Sequence, residues 1–375
     1  SSLALDNDLH MTKLNDKAPS LATTLAHLLR QQPELLVCDE ARTLWQRMAN
    51  EKILTPRLST PNNTQTYPYT EIVQAAAYLS HQSGLPGLAM TWLAQQRLIE
   101  IIAHCNNSVI KDAYLADLLA GNTLCALAVS EPNVGAHPKH LSTRADKVGK
   151  SYRLNGEKTY VTNGLNAAFF IVFAITDVVD KRKQFTAFIV PKDSKGLAIS
   201  PLQGFDALKP STHCTLLLED CELPDSHILG EIGNAFNDIS KPFREYEDVL
   251  MLAPLAGAMQ SLLDQLCAHD TKLIPNDALG QLLAITESVG VLSHQAASLL
   301  DTADQHTNPI SLIISGRLLV EQFINTIKQL IAEQPLNEAI KRLIKDIDIL
   351  SNIAQSVNKI KQTNLAINYR QPELT

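Results

Sequence analysis

A chain of 375 residues with 45% hydrophobic content can bury the cores of two or three domains. Its net charge of −7 and pI of about 5.9 come without a long run of lysine and arginine, which argues against binding to nucleic acid or to anionic lipid. A soluble, globular protein without a nucleic-acid partner is expected.

Cysteine spacing and hydropathy indicate which cellular compartment to expect and whether to expect a metal site. The six cysteines are scattered without zinc-site spacing, and several lie in apolar runs typical of buried, reduced thiols. An HxxH pattern at His137 and His140 lies in a Pro-containing loop with no second ligand pair nearby. Residues 1–17 lack the basic and apolar regions of a signal peptide, and no membrane-length apolar run is free of charge. We therefore expect a cytoplasmic protein with no metal site and no membrane span.

The chain divides into three predicted domains. Residues 1–123 are predicted to form an all-α domain, because segments such as YTEIVQAAAYLSHQ and LAMTWLAQQRLIEIIAHC carry apolar residues at helical spacing. Residues 124–232 consist of short β-branched or aromatic segments separated by turn signals, which predicts a β-barrel or sandwich. Helical periodicity returns over residues 233–375 and predicts a four-helix bundle. The expected fold class is α+β, with the strands in the middle.

One segment of the β domain, residues 155–164, has a strong turn signal. Asn155 and Gly156 both tolerate the positive φ of a type I′ turn, so we predict a hairpin turn there. In the strand that follows, alternation places Tyr160 and Thr162 on one face and Val161 on the other. A tyrosine and a threonine on one face are ordinarily a cross-strand pair, so by themselves they do not indicate a function.

Several common catalytic motifs are absent from the sequence. There is no GxGxxG after a predicted strand, no GxxxxGK[ST], no HExxH and no GxSxG. Nicotinamide binding by a βαβ unit, phosphate-loop chemistry and the corresponding zinc and serine hydrolases are therefore not indicated.

Residues 127–176 carry the most informative pattern. Ser130-Glu131-Pro132 is followed by Gly135, then by the segments at 154–158 and 160–164, and then by a Thr-Asp pair at 176–177. A second segment, residues 223–236, reads LPDSHILGEIGNAF at the return to helical pattern. Together with the order of helices, β domain and helices, this combination resembles the acyl-CoA dehydrogenase family over about residues 40–265.

The resemblance implies an FAD cofactor bound at the edge of the β domain. Tyr160 would pack on the flavin ring, the Thr162 hydroxyl would hydrogen-bond near N5, and Ser130 would reach the pyrimidine edge. A flat, redox-active ring needs such an apolar wall and a few fixed donors. The backbone groups that would complete the pocket are those around Leu127, Val129, Gly135 and Ala136.

The reaction implied by the resemblance is α,β-dehydrogenation of an acyl-CoA thioester. A carboxylate removes the α-proton, the β-hydride passes to the flavin, and the electrons leave to an electron-transferring flavoprotein. The C-terminal glutamate motif of many members is missing, since the last glycine is Gly316. Residues 244–260, REYEDVLMLAPLAGAMQ, instead align with the isovaleryl-CoA type and place the catalytic base at Glu247. The open alternative is an ordinary exposed carboxylate in the first turn of a helix, where the dipole favours acidic residues.

Three departures from the family pattern bear on substrate binding. The resemblance places Ala136, Arg244 and Asp248 at the substrate. Asp248 stands where the family has an arginine, Ala136 replaces a serine, and His137 replaces an aspartate. An anion beside the base is expected to raise the pKa of Glu247 and to weaken attraction to the CoA phosphates.

The motif that contacts FAD of a neighbouring subunit is also degenerate. Residues 276–280 read NDALG where the family has Arg-x-x-Phe-Gly, and no arginine lies between Arg244 and Arg317. Glu287 replaces a glutamine, and the Gln-x-x-Gly-Gly loop is missing. Each charge-assisted hydrogen bond lost costs roughly 1.5–3 kcal/mol, so these departures are expected to weaken FAD binding. The resemblance still implies FAD as the cofactor, with a chain that binds FAD weakly or not at all as the open alternative.

Three functions remain open from the sequence. The first is an active acyl-CoA dehydrogenase of fatty acid metabolism, working as a homo- or hetero-oligomer. The second is an FAD-poor or inactive paralogue that serves as a structural partner subunit in a hetero-oligomeric acyl-CoA dehydrogenase. The third is an oxygen-using flavin monooxygenase or nitroalkane oxidase of the same superfold, because fold alone does not decide function.

Overall fold

The computed structural model describes residues 20–36, 41–302, 309–353 and 355–370. Residues 1–17, for which the sequence indicates no signal peptide, and Cys38 lie outside this part of the chain. Helices, then strands, then helices follow one another along the described residues. This order confirms the α+β prediction.

Five α-helices precede the first strand in the described residues. They are α1 Leu21–Gln31, α2 Arg42–Asn50, α3 Tyr69–Ser83, α4 Pro86–His104 and α5 Ser108–Leu119. Helix α4 is buried on nearly all sides. It contributes side chains to an N-terminal helical core, to a C-terminal helical core and to the core beside the sheet. A helix that is apolar all round belongs in the interior, and α4 is the central element of this fold.

The middle region is one eight-stranded sheet. Its strands are β1 Leu124–Ala128, β2 Arg144–Val148, β3 Ser151–Thr162, β4 Ala167–Val179, β5 Arg182–Pro191, β6 Leu197–Pro201, β7 His213–Pro224 and β8 Ile228–Leu229. The neighbour order is β6-β7-β3-β2-β4-β5-β8, and β1 pairs in parallel with β4. Both faces of β4 are buried, since Phe169 and Phe173 pack in one apolar cluster while Phe170 and Val172 pack in another.

The predicted hairpin turn at Asn155 and Gly156 is wrong. Strand β3 runs through both residues, and the tight turn lies earlier, at Gly149 and Lys150, between β2 and β3. A Cβ atom on Gly156 would lie 2.4 Å from the hydroxyl oxygen of Thr143. The glycine therefore allows the backbone of β3 to lie close to Thr143 at a register shift. Glycine is used in strands for such close contacts as well as in tight turns.

In the described residues, six α-helices follow a π-helical turn at Phe236–Ser240. They are α6 Lys241–Leu250, α7 Leu252–His269, α8 Asn276–Asp301, α9 Ile310–Leu330, α10 Glu338–Asn352 and α11 Gln355–Arg370. The long helices α7, α8, α9 and α10 share one apolar core. These four form the predicted bundle, with α6 before it and α11 after it.

Two helical stretches pass a length and composition test for a membrane span. They are Phe236–His269 and Ile310–Leu330. The most apolar window of the first is 78% buried inside the protein and that of the second is 33% buried. Core helices of soluble proteins pass the same test, so these two helices are weak evidence for a span.

Gly257 sets the spacing between α3 and α7. A Cβ atom here would lie 2.1 Å from the backbone carbonyl oxygen of Ala77. We expect Gly257→Ala to lower the free energy of unfolding by roughly 1–3 kcal/mol, because the two helices must separate. At Gly280, in α8, no described atom beyond the backbone of that helix lies within 4 Å of such a Cβ, and Gly280→Ala should leave stability unchanged or slightly higher. Equal melting temperatures for the two variants would contradict this account.

Candidate active site

The end of β3 turns Tyr160 out of the sheet. The register against β7 shifts between Lys158 and Val161, and Tyr160 lies in this bulge at a φ of 52°. Left-handed backbone is uncommon for an aromatic residue, and bulges re-aim side chains next to functional sites. Tyr160 is 60% exposed, whereas Val161 is buried and Thr162 is half-buried. The C-terminal end of β3 therefore presents a tyrosine ring on an open surface.

Two further rings extend the surface at Tyr160. Phe205, in the loop between β6 and β7, lies edge-on to Tyr160 with 6.3 Å between ring centroids. His213, the register partner of Thr162, lies 4.2 Å from Phe205 between ring centroids. Burial lowers the pKa of His213 to about 4, so the ring is neutral. We name Tyr160, Phe205 and His213 the aromatic shelf. Its last two members are not predictable from the sequence, because only the β3–β7 pairing brings them to Tyr160.

Helix α10 holds the loop that carries Phe205. Asp346 accepts a hydrogen bond from the Leu208 backbone N–H at 2.8 Å, and Lys345 donates to the Asp206 carbonyl oxygen at 2.6 Å. Asp346 is fully buried, and burial raises its pKa to about 6. The C-terminal bundle therefore fixes one side of the aromatic shelf.

A buried ion pair joins Ser130 to strand β3. The Lys158 ammonium lies 2.9 Å from a Glu131 carboxylate oxygen, and the two residues are 0% and 4% exposed. Lys158 also donates to the Val129 carbonyl oxygen at 3.0 Å. One residue further along β3, the Thr159 backbone N–H donates to the Ser130 carbonyl oxygen at 2.9 Å. These bonds set the distance between the two loops from which the flavin contacts are predicted.

The Glu131 carboxylate is kept ionised by its surroundings. It accepts hydrogen bonds from the Ser142 backbone N–H at 2.7 Å, the Ser142 hydroxyl at 2.9 Å and the Thr143 backbone N–H at 2.9 Å. Burial alone would raise its pKa, but the charge of Lys158 and these donors outweigh burial and lower the pKa to about 2. The Ser-Glu-Pro motif and the lysine of Asn-Gly-Glu-Lys are therefore two halves of one structural element. Neither charged residue had a predicted role.

Three of the four predicted backbone contacts share an apolar cluster with the start of α6. Three of them pack in or against one apolar cluster that also contains Phe243, and Phe243 lies one turn before Glu247 on α6. The fourth, Gly135, has a φ of 64° and accepts a hydrogen bond from the Glu131 backbone N–H at 3.0 Å. The end of β1 and the helix of the candidate base therefore border a common apolar region. The three residues in the cluster are Leu127, Val129 and Ala136.

Glu247 is a half-buried carboxyl group in the second turn of α6. Among the described residues, no side chain or backbone group makes a hydrogen bond or ion pair with its carboxylate. Burial and the adjacent Asp248 raise its pKa to about 7, against the attraction of Arg317 and Arg244. A free carboxyl with a pKa near neutrality suits a general base. The alternative of an exposed carboxylate in the first turn is wrong, since α6 begins at Lys241.

Of the predicted substrate contacts, Asp248 forms an ion pair within the chain. Its carboxylate bonds the Lys361 ammonium of α11, and its side chain is 20% exposed. Arg244 is exposed one turn before Asp248, and Ala136 is half-buried beside β1. Substrate contacts at all three residues stay predictions.

Helix α4 fixes the sheet relative to α6. The Thr91 hydroxyl donates to the side-chain oxygen of Asn163, directly after β3, at 3.1 Å. The Gln95 carboxamide binds backbone C=O and N–H groups of β1 at 2.8 and 3.1 Å. On α6, the Tyr246 hydroxyl donates to the Leu93 carbonyl oxygen at 3.0 Å. Little more than one turn of α4 therefore positions β1, β3 and α6 together.

The cysteines in the described part of the chain are free thiols. Burial raises the pKa of Cys125 and of Cys214 to about 12, so both thiols stay protonated. Within the described residues, no group of three or more His, Cys, Asp and Glu side chains is placed to hold a metal ion. The free thiols there are those of Cys105, Cys125, Cys214, Cys221 and Cys267.

The sequence matches one family model and many known proteins. Residues 126–221 match the acyl-CoA dehydrogenase middle domain. Isovaleryl-CoA dehydrogenase of Pongo abelii is 30% identical over 278 residues, which cover 72% of this chain and 64% of that protein. Cyclohex-1-ene-1-carbonyl-CoA dehydrogenase of Geobacter metallireducens is 27% identical over 288 residues, or 73% and 75% of the two chains. The chain thus spans less than two thirds of the isovaleryl-CoA dehydrogenase that it matches.

Solved structures share the fold at lower identity. Butyryl-CoA dehydrogenase of Megasphaera elsdenii superposes with a TM-score of 0.77 at 18% identity, covering 93% of this chain and 98% of that one. Glutaryl-CoA dehydrogenase of Mycobacterium smegmatis, in complex with FADH2, gives a TM-score of 0.70 at 21% identity, with 88% of each chain covered. The sequence matches and the shared fold confirm the resemblance noted in residues 127–176 and 223–236, and the chain belongs to the acyl-CoA dehydrogenase family.

Proposed function

We propose that this chain is a flavin-dependent acyl-CoA dehydrogenase that introduces a double bond between the α and β carbons of an acyl-CoA thioester. The observation that carries the proposal is Glu247, a half-buried carboxyl without a partner among the described residues. It lies one turn from Phe243, which packs in the same apolar cluster as the predicted flavin contacts of β1. The names of the sequence relatives, both acyl-CoA dehydrogenases, support the reaction class.

The residues at the edge of β1 and β3 fit a flavin ring. The aromatic shelf offers an exposed ring wall. In the described residues, neither the Ser130 nor the Thr162 hydroxyl has a hydrogen-bond partner within the protein, so both are free to bond a ligand. FAD, when bound, supplies the two-electron acceptor for the hydride of the β carbon. Ser130, Thr162 and Tyr160 would hold its ring end.

Glu247 has the properties required to remove the α-proton. Its carboxylate oxygen accepts a proton once the group is ionised, and burial places its pKa at about 7. Phe243, one turn before Glu247, packs in the same apolar cluster as Val129, and apolar surroundings raise the proton affinity of a carboxylate. The chain's own contribution is thus a base of matched pKa beside an apolar cluster.

The pH dependence of the reaction follows from this assignment. We expect kcat/KM for an acyl-CoA substrate to rise with pH through about 7, because only the ionised Glu247 accepts the α-proton. Steady-state rates measured with an artificial dye acceptor across this range check the expectation. A profile that rises only near the ordinary glutamate pKa would remove Glu247 from the proton transfer.

A panel of thioesters tests the reaction and its substrate class. The relatives named above act on a branched and on a cyclic acyl-CoA, so the panel holds short linear, branched and cyclic acyl-CoA thioesters. With FAD and a dye or an electron-transferring flavoprotein as acceptor, we expect at least one substrate to lose two hydrogens, read by mass spectrometry of the enoyl-CoA product. No product from any thioester would count against the proposal.

A second candidate function is that of an FAD-poor partner subunit in a hetero-oligomer. The observation that favours it lies on α8, where Asn276, Asp277 and Glu287 form an exposed, anionic stretch at the positions that the family resemblance gives to cations and amides. Such a surface repels a pyrophosphate instead of binding it. If this function holds, the chain alone loses added FAD on desalting, and co-expression with a related chain restores bound flavin. Flavin retained by the chain alone would contradict it.

A further inference from the structure

Two adjacent acidic side chains are half-buried on α6. Glu247 and Asp248 repel each other where solvent access is reduced, which favours protonation of one of them. Among the described residues, the Lys361 ammonium bonds Asp248, and no cation bonds Glu247 directly. The structure therefore contains one neutralised carboxylate and one free carboxyl side by side.

Lys361 reaches this pair from the last described helix. It belongs to α11, and its side chain is 23% exposed where it meets Asp248. Close to the start of α11, the Arg317 guanidinium of α9 donates to the Ile353 carbonyl oxygen at 2.9 Å. Apolar packing contributes less to the docking of α11 than these polar contacts do, because several of its large apolar side chains are at least 41% exposed. These are Ile360, Leu365 and Ile367.

We propose that Lys361 is a positioning residue for Glu247: it neutralises Asp248, holds that carboxylate in an ion pair, and leaves Glu247 as the free carboxylate of the two. The inference rests on the proposed function, in which Glu247 takes the α-proton. The charged groups that act on Glu247 are Asp248 and Arg244 of α6 and Arg317 of α9, and Lys361 acts through Asp248. Without the Lys361 charge, Asp248 acts on its neighbour at full strength and disfavours ionisation of Glu247.

The test compares Lys361→Met with a matched control on the same helix. Lys359 is exposed two residues away, so Lys359→Met removes the same charge from α11 without touching Asp248. In each background, the melting temperature is measured with and without Glu247→Gln across roughly pH 5–9. The stability gain of the glutamine variant stops increasing near the pH at which Glu247 is half-ionised in the folded protein, so this midpoint is read from the levelling-off pH and needs neither flavin nor substrate.

We expect that midpoint to move upward by about one pH unit in Lys361→Met. The midpoint should not change in Lys359→Met. In the double variant Lys361→Met/Asp248→Asn it should return to its native value, because the charge of Asp248 is removed as well. This return would also show that Lys361→Met does not act by unfolding the protein. An unchanged midpoint in Lys361→Met, or an equal shift in Lys359→Met, would overturn the inference.

The ascending limb of the pH–rate profile provides the second readout. In Lys361→Met this limb should shift to higher pH, as the midpoint of Glu247 ionisation does. A purely structural role of Lys361 would not produce this shift. An unchanged midpoint together with an inactive Glu247→Gln variant overturns the inference alone. A shifted midpoint together with full activity of Glu247→Gln overturns the proposed role of Glu247, and the positioning role with it.

Discussion

Replacing Glu247 with glutamine is expected to slow dehydrogenation by roughly 10²–10⁴-fold and, at the same time, to stabilise the protein above neutral pH. The pKa of Glu247 is raised in the folded chain from its ordinary value of 4.5 to about 7. Between these values the folded state binds more protons than the unfolded state, so stability falls as pH rises through this window. Glutamine does not ionise, so the free energy of unfolding of the variant should exceed that of the native protein by roughly 1–3 kcal/mol above pH 7. Below about pH 4.5 the two should be equal.

The control for this variant lies on the same helix. Glu245 is exposed two residues earlier, so Glu245→Gln should change neither the rate nor the pH dependence of the melting temperature. The measurements are thermal unfolding from acid to mildly alkaline pH and the acyl-CoA-dependent reduction of a dye. A Glu247→Gln variant with native activity would exclude this residue as the base, and one without an alkaline stability gain would show that the carboxyl is hydrated.

Replacing Lys158 with methionine is expected to have the largest effect on stability. The variant leaves Glu131 buried at 4% exposure without its cation, and breaking a buried pair in this way costs roughly 3–5 kcal/mol. The pKa of Glu131 is lowered from 4.5 to about 2 in the native chain, so its stabilising contribution is present above pH 4.5 and is lost as pH falls toward 2. The gap between variant and native protein should therefore narrow in acid.

Two comparisons make this prediction specific. Glu131→Gln combined with Lys158→Met removes the buried charge but keeps an acceptor for the Ser142 donor, and should recover part of the lost melting temperature. Arg144→Met breaks the exposed pair with Asp146, whose side chain is 60% exposed, and should cost less than about 1 kcal/mol. A Lys158→Met variant no less stable than Arg144→Met would contradict the role assigned to the buried pair.

Much of the fold could be predicted from the sequence, because hydrophobic period separates helices from strands. The β domain and the four-helix bundle follow from the change of period on either side of it. The hairpin turn was misplaced because Asn-Gly suits both a tight turn and a close approach, and only the contact between Gly156 and Thr143 distinguishes the two. The split of the C-terminal pattern into α10 and α11 was also not apparent, since helical periodicity continues across it.

Residues of the candidate site could be predicted where they lie in a local sequence motif. They could not be predicted where distant segments come together only in the folded chain. Tyr160 and Glu247 were found from sequence segments that resemble a family. Phe205 and His213 carry no motif and join Tyr160 only through the register of β7 and the loop before it. Lys361 lies more than a hundred residues from Asp248, and no pattern in the sequence connects the two.

The visible absorbance of the purified protein, after incubation with excess FAD and desalting, tests the central claim most directly: the edge of β1 and β3 is a flavin site. The matched variants are Tyr160→Ala, which removes the exposed ring of the aromatic shelf, and Tyr369→Ala, which removes an 88% exposed tyrosine on α11. The account predicts a retained flavin band in the native protein and in Tyr369→Ala, and a weakened band in Tyr160→Ala. A native protein that retains no flavin, or a Tyr160→Ala variant that retains as much as the native protein, would contradict it.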